Sequence, residues 1–147
     1  MEVKIRIVPE REAPALVLET PALTPQVERL AQRLSALDDG TLPGFQADKA
    51  FLLETARLTC LYAQDKGVYA RREDGEVFAL RLRLYELEQR LDSHTFVRIS
   101  HSEIVNLKKI TALDLTLSGT IKISLVDGAA CYVSRRYVKK IKQALGL

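Results

Sequence analysis

At 147 residues, with 47% hydrophobic and 28% charged side chains, the chain has the length and apolar content to bury a core, which argues against global disorder. The net charge of +3 hides an asymmetry: residues 1–94 hold 13 basic and 16 acidic side chains, whereas residues 95–147 hold 9 basic and 3 acidic. A basic third on a mildly acidic body fits a polyanion-binding face and, as well, an ordinary solvated surface.

The first residues, Met1-Glu2-Val3-Lys4-Ile5-Arg6-Ile7-Val8, alternate charged with apolar. That is a strand pattern, not the apolar core of a signal peptide. No apolar run approaches membrane-spanning length, so a cytoplasmic protein is expected. Pro9 breaks the first strand, and Ala15-Leu16-Val17-Leu18 predicts a second. Thr24-Pro25 offers a hydroxyl cap followed by proline at the first helical position. Val27, Leu30, Leu34 and Leu37 then share one helical stripe, which can pack on the first strands or help dimerise. Asp38-Asp39-Gly40 ends this helix, and Pro43-Gly44 reads as a turn. Residues 1–45 thus form a small α/β extension, with residues 46–147 as a second unit.

That second unit reads as mainly β with short helices. Lys49–Glu54 and Leu58–Ala63 are apolar-rich, and Gln64-Asp65-Lys66-Gly67 is a polar turn. Val68–Arg72 and Glu76–Leu82 flank Asp74-Gly75, which predicts a hairpin with a type I′ turn. The period then changes: Leu84, Leu87 and Leu91 share a helical face. Leu113, Leu115 and Leu117 alternate with polar residues, Ser118-Gly119 turns the chain, and Ile121, Ile123 and Leu125 alternate again. Asp127-Gly128 predicts another hairpin, followed by Ala129, Cys131 and Val133.

Ser134 is placed to cap a last helix whose apolar side is Val138, Ile141 and Leu145 and whose stop is Gly146. Arg135, Arg136, Lys139, Lys140 and Lys142 fall on the opposite arc. Two arginines at a helix start are unusual, because free N–H groups already make that end positive. The pattern calls for an external anion, and a nucleic-acid phosphate is the obvious one.

Catalytic and metal chemistry find little footing. Gly-x-Ser-x-Gly, P-loop and HExxH patterns are all missing, and Asp92-Ser93-His94 adjacency says nothing about a triad formed in space. Cys60, Cys131, His94 and His101 have no chelating spacing, so buried free thiols are expected, with no metal and no cofactor.

Phe96-Val97-Arg98-Ile99 followed by a polar loop and Ser102-Glu103-Ile104-Val105-Asn106, together with Ser134-Arg135-Arg136-Tyr137-Val138-Lys139-Lys140-Ile141-Lys142, resembles the LytTR DNA-binding domain. The resemblance covers about residues 46–147. It implies stacked antiparallel sheets that bind double-stranded DNA through loops entering successive major grooves, without a helix-turn-helix. Three places carry the contacts: the turn from Gln64 to Val68 with Lys66, the loop with Ser100 and His101, and the start of the last helix with Arg136. Residues 1–45 are too short for the phospho-receiver domain that many members carry, so phosphorelay control is not expected. A stand-alone regulator binding repeated sites as a homodimer is implied, and some such regulators answer to a companion membrane or regulatory protein.

Against the bland readings, Arg136 is the residue best suited to grip guanine O6 and N7. Arg135, Lys139, Lys140 and Lys142 fit phosphate contacts, or surface solubility. Strict alternation would turn His101 inward; the family pattern exposes it. Asn106 and Tyr137 read as structural, while Lys108 and Lys109 are weaker phosphate candidates. The expected function is a sequence-specific, non-enzymatic transcription regulator. The alternative is a protein-interaction or anti-regulator module of the same fold that does not bind DNA, favoured by His101 standing where Arg or Asn is more usual.

Overall fold

The computed structural model describes residues 1–12, 14–36 and 40–147, with nothing stated for the side chains of Ser35 and Ala36. Its elements are β1 (Val17–Leu18), α1 (Pro25–Ala36), β2 (Thr41–Gln46), β3 (Lys49–Glu54), β4 (Leu58–Gln64), β5 (Gly67–Arg72) and β6 (Val77–Leu80). There follow α2 (Leu84–Arg90), β7 (Phe96–Ser100), β8 (Glu103–Asn106), β9 (Ile110–Asp114), β10 (Ile121–Leu125), β11 (Ala130–Val133) and α3 (Arg135–Leu145). The large sheet runs β1-β3-β2-β6-β5-β4-β8-β7 and the small one β11-β10-β9; the paired strands are antiparallel.

The period of two in a strand explains the layers. Adjacent residues Cys60 and Leu61, Ile104 and Val105, and Phe96 and Val97 go to opposite faces of the large sheet and are all buried. Leu61, Phe96 and Ile104 join Leu84, Leu87 and Leu91 in a core under α2. Cys60, Val97 and Val105 join Ile121, Ile123, Cys131, Val133 and Ile141 in a second core beneath the small sheet and α3. The mainly β, stacked-sheet architecture expected from sequence is the one observed. Both cysteines are free and buried. The Cys60 thiol, through a hydrogen bond, and then burial push the Cys131 thiol up, so it stays protonated.

Several local expectations fail for identifiable reasons. Residues 3–7 form no strand, and Val3, Ile5 and Ile7 are exposed, because the open edge of β3 pairs with Val17 and Leu18 instead. Pro43 and Gly44 lie inside β2, buried, not at a turn. Glycine is required there: a Cβ on residue 44 would sit 2.5 Å from Leu53 Cδ1 and 3.0 Å from Phe78 Cβ. β2 crosses residue 45 and pairs with β3 and β6, so the extension supplies strands to the large sheet. Thr24 does cap α1, accepting from the Val27 N–H (3.3 Å). Leu37, Asp38 and Asp39, the expected helix end, lie outside the described residues.

The type I′ turn also occurs one hairpin earlier than expected. Asp65 and Lys66 both take positive φ (50° and 65°), whereas at Asp74-Gly75 only the glycine does (89°). There the Gly75 N–H donates to the Arg72 carbonyl (2.9 Å) and the Arg72 N–H to the Glu76 carbonyl (2.8 Å). This three-residue loop keeps Glu73 free to donate its N–H to the Arg57 carbonyl (2.9 Å). Asp127-Gly128 repeats the design, with Gly128 at φ 86°.

Asp127 uses that loop to join the two sheets. Its carboxylate, 4% exposed, accepts from Arg71 Nε (2.7 Å) and from the Thr59 hydroxyl (3.0 Å). Burial alone would raise this carboxyl, but the Ala129 N–H, Arg71 and Thr59 together hold it below the ordinary range. A carboxyl depressed in the folded state stabilises above its unfolded pKa, near ~3.9, and loses that contribution as pH falls through the folded value. Asp127→Asn is expected to cost about 3 kcal/mol at pH 7 in urea unfolding. It is also expected to flatten part of the stability loss that the parent shows below about pH 4.

Candidate nucleic-acid interface

Strand pairing carries the three sequence-predicted places to one end of the large sheet. β4 and β8 run antiparallel with Tyr62 opposite Glu103, so the turn after β4 lies beside the turn before β8. The Ala63 N–H donates to the Ser102 carbonyl (2.8 Å) and ties the two turns together. The Ser134 N–H donates to the Ile99 carbonyl (2.9 Å), which sets the start of α3 against the other side of the Ser100–Ser102 loop. Lys66, His101, Arg135, Arg136, Lys139 and Lys140 are exposed; Ser100 is half-buried.

The two turns are shaped by different devices. Lys66 stands at the tip of its hairpin with a left-handed backbone, which suits the twist of the flanking strands but strains a residue with a Cβ. The Ser100–Ser102 loop is clamped from beneath by Arg98. Its Nε donates to the Ser100 carbonyl (2.8 Å), one terminal nitrogen donates to the His101 carbonyl, and the other pairs with Glu88 of α2. The register of β7 on β8 slips between Arg98 and Ser100. That slip ends the alternation which would have turned His101 inward. The Ser100 hydroxyl accepts from the Ser102 N–H (3.2 Å), so it serves the loop's own shape.

α3 begins without the expected serine side-chain cap; Ser134 contributes its backbone only. Gly146 does end the helix in the left-handed conformation (φ 73°), with the Leu147 N–H returning to the Lys142 carbonyl (2.8 Å). The helix buries Ile141 and keeps Tyr137, Val138 and Leu145 packed on the second core. Among the described residues, Arg135, Arg136, Lys139, Lys140 and Lys142 make no ion pair. In the sheet body, by contrast, Arg57, Arg71, Arg72, Arg81 and Arg98 each meet a carboxylate. The five helix cations also separate: Arg135 and Lys142 line a cleft against the β9–β10 loop.

Other candidates lie elsewhere. Lys108 and Lys109 follow β8 at the end away from the clustered turns, and Lys109 pairs with Glu73 (2.7 Å). The pairing of Glu73 with Lys109 and Arg57 holds its carboxyl below the usual range. Asn106 is structural, as expected, in extended backbone (φ −86°). Its amide donates to the Leu58 carbonyl (2.8 Å) and its carbonyl oxygen accepts from the Lys108 N–H (2.9 Å). Sequence reasoning missed Arg98 as the loop's clamp and missed the β9–β10 loop beside α3. The first has a signal only in the partner carbonyls, which sequence does not display.

The model of the LytTr DNA-binding domain family matches residues 48–146. An HTH-type transcriptional regulator of Staphylococcus aureus strain NCTC 8325 is 35% identical over 131 residues, covering 88% of each chain. One from strain MRSA252 is 34% identical over the same length. The LytTr DNA-binding domain of a response regulator from Bacillus cereus superposes with a TM-score of 0.70 at 25% identity, covering 74% of this chain and 98% of that one. In the present chain α2 and α3 are separated by the strands β7 to β11, so they do not form a helix-turn-helix pair.

Two variants separate shape from charge. Lys66→Gly is expected to raise unfolding stability by about 1 kcal/mol, since glycine carries no left-handed penalty, while weakening duplex affinity. Arg98→Lys keeps the charge but cannot fork across two carbonyls and a carboxylate. Its duplex affinity, read by fluorescence anisotropy, is expected to fall about tenfold, or ~1.4 kcal/mol, although the Arg98 guanidinium is engaged by Ser100, His101 and Glu88.

Proposed function

The chain belongs to the LytTR DNA-binding domain family, and we propose that it is a sequence-specific transcription regulator that grips duplex DNA with the rim formed by Lys66, His101 and the start of α3. The observation that carries this reading is the set of five helix cations with no ion-pair partner among the described residues, on a helix whose start is bonded to Ile99 beside the Ser100–Ser102 loop, which is in turn bonded to β4 just before the turn of Lys66. A folded protein usually pairs its part-buried arginines, as the sheet body does here. Arg136, Lys139 and Lys140, which do not line the cleft against the β9–β10 loop, are exposed and without an ion pair among the described residues, and such a set suits a phosphate ladder.

In this reading Arg136 enters a major groove and reads guanine with two hydrogen bonds. His101 and Lys66 follow the groove from the neighbouring turns. Arg135, Lys139 and Lys140 hold phosphates and fix the register without choosing sequence. Two copies on a repeated site give the protein its operator length. The LytTR family supplies the DNA-binding class; the operator, the dimer and these residue roles belong to the proposal.

Selection of bound duplexes from a random pool tests it directly, and recovery of no enriched motif would overturn it. On the recovered site, Arg136→Ala is expected to cost about 1–3 kcal/mol and to relax preference at one base step. Lys139→Gln is expected to weaken all duplexes alike and to lower the slope of log affinity against log salt by about 1.

A further inference from the structure

β9 ends at Asp114, whose carboxylate accepts from the N–H (2.9 Å) and hydroxyl (2.6 Å) of Thr116 and so turns the chain out of the sheet. The leucines that continue the strand's alternation, Leu115 and Leu117, are thereby left 51% and 39% exposed. They face Arg135, Val138 and Lys142, which the helical spacing i, i+3, i+7 puts on one stripe of α3. Between the two walls lies a cleft of about 350 Å³. That is the size of small-molecule sites, at the lower end of their range.

The lining is chemically one-sided. Leu115, Leu117, Ile121 and Val138 supply its apolar part and Arg135, Lys142 and Thr120 its polar part, and among the described residues no carboxylate lines it. The Arg135 guanidinium lies along the loop backbone at Gly119, with Nε 2.7 Å from where a Cβ on that residue would stand. Gly119 is also at φ +74°, so glycine serves both the turn and the close approach. The guanidinium thus stands at the cleft with no ion-pair partner among the described residues.

The geometry points to a binding site for a small amphiphilic anion, a medium-chain carboxylate in its simplest form. The headgroup pairs with Arg135 and the hydrocarbon lies on Leu115, Leu117 and Val138. Guanidinium–carboxylate pairing is bidentate and geometrically specific. The exposed leucines argue for a ligand with an apolar body, which a phosphate ladder does not offer. The cleft's existence is independent of the DNA reading. Its regulatory effect rests on that reading, because an occupied Arg135 is withheld from phosphate.

Titration calorimetry of the full chain with decanoate, kept below its micellar concentration, tests the site. Saturable one-site binding is expected, weakened at least about tenfold when decanol or acetate replaces decanoate. Leu117→Asp, at an exposed position, sets a like charge beside the carboxylate and is expected to abolish it; Arg135→Gln is expected to weaken it strongly. Absence of saturable binding, or binding unchanged in both variants, overturns the site. So does binding to phosphatidylglycerol vesicles, or to an acidic amphipathic peptide, without binding of free decanoate. The calorimetry contains no DNA, so its failure removes the cleft alone, and failure to bind any duplex leaves the cleft standing. Where both hold, decanoate is expected to raise the duplex Kd of the parent and not that of Leu117→Asp.

Discussion

The seam between the two sheets governs everything presented at the rim. It is closed in the middle by apolar packing, with Ile99, Ile123, Val133 and Ile141 all fully buried. At one end the Ser134 N–H reaches the Ile99 carbonyl; toward the other, Asp127 spans from the small sheet to Arg71 and Thr59. α3 is attached to the large sheet through this seam, by the packing of Ile141 and the Ser134–Ile99 bond. Its first turn can therefore stand beside the Ser100–Ser102 loop only while the seam is intact. Apolar burial supplies most of the free energy, and the polar bonds at the ends choose a single register out of many similar ones.

The rim itself is an example of shape fixed from behind. Backbone bonds align the turns, and Arg98 holds two carbonyls of the second turn while anchored to α2. The exposed groups inherit this order without spending their own hydrogen-bonding capacity on it. His101 gives up its backbone carbonyl, and among the described residues the α3 cations give up none of their side-chain donors to a carboxylate. A surface prepared in this way loses little conformational freedom when it meets a partner.

Much of this was legible in the sequence where the signal was local and periodic. The amphipathic α3, its Gly146 stop, the Thr24 cap and the leucine face of α2 depend on residues within a turn or two of each other. So does the basic bias of the last third. What was not legible depends on which neighbour arrives first. Residues 3–7 carry a strand pattern, but a strand exists only with a partner edge, and the β3 edge is taken by Val17 and Leu18. Pro43-Gly44 looks like a turn because its reason for being in a strand, the side chains of Leu53 and Phe78, comes from other strands. At Asp74-Gly75 the loop takes three residues, and Glu73 within it donates to a distant carbonyl on Arg57 that the local sequence does not display. The convergence of the three expected contact places is likewise a product of β4–β8 pairing and of the Ser134–Ile99 bond, which periodicity alone does not specify.

The uncompensated cations of α3 bear also on the unliganded chain. Five positive groups share an 11-residue helix, two of them on the end where peptide dipoles already point their positive pole. Mutual repulsion works to fray that first turn, and mobile counterions relieve it. Ionic strength should then act in two directions on one molecule, steadying the free helix while loosening its grip on a polyanion.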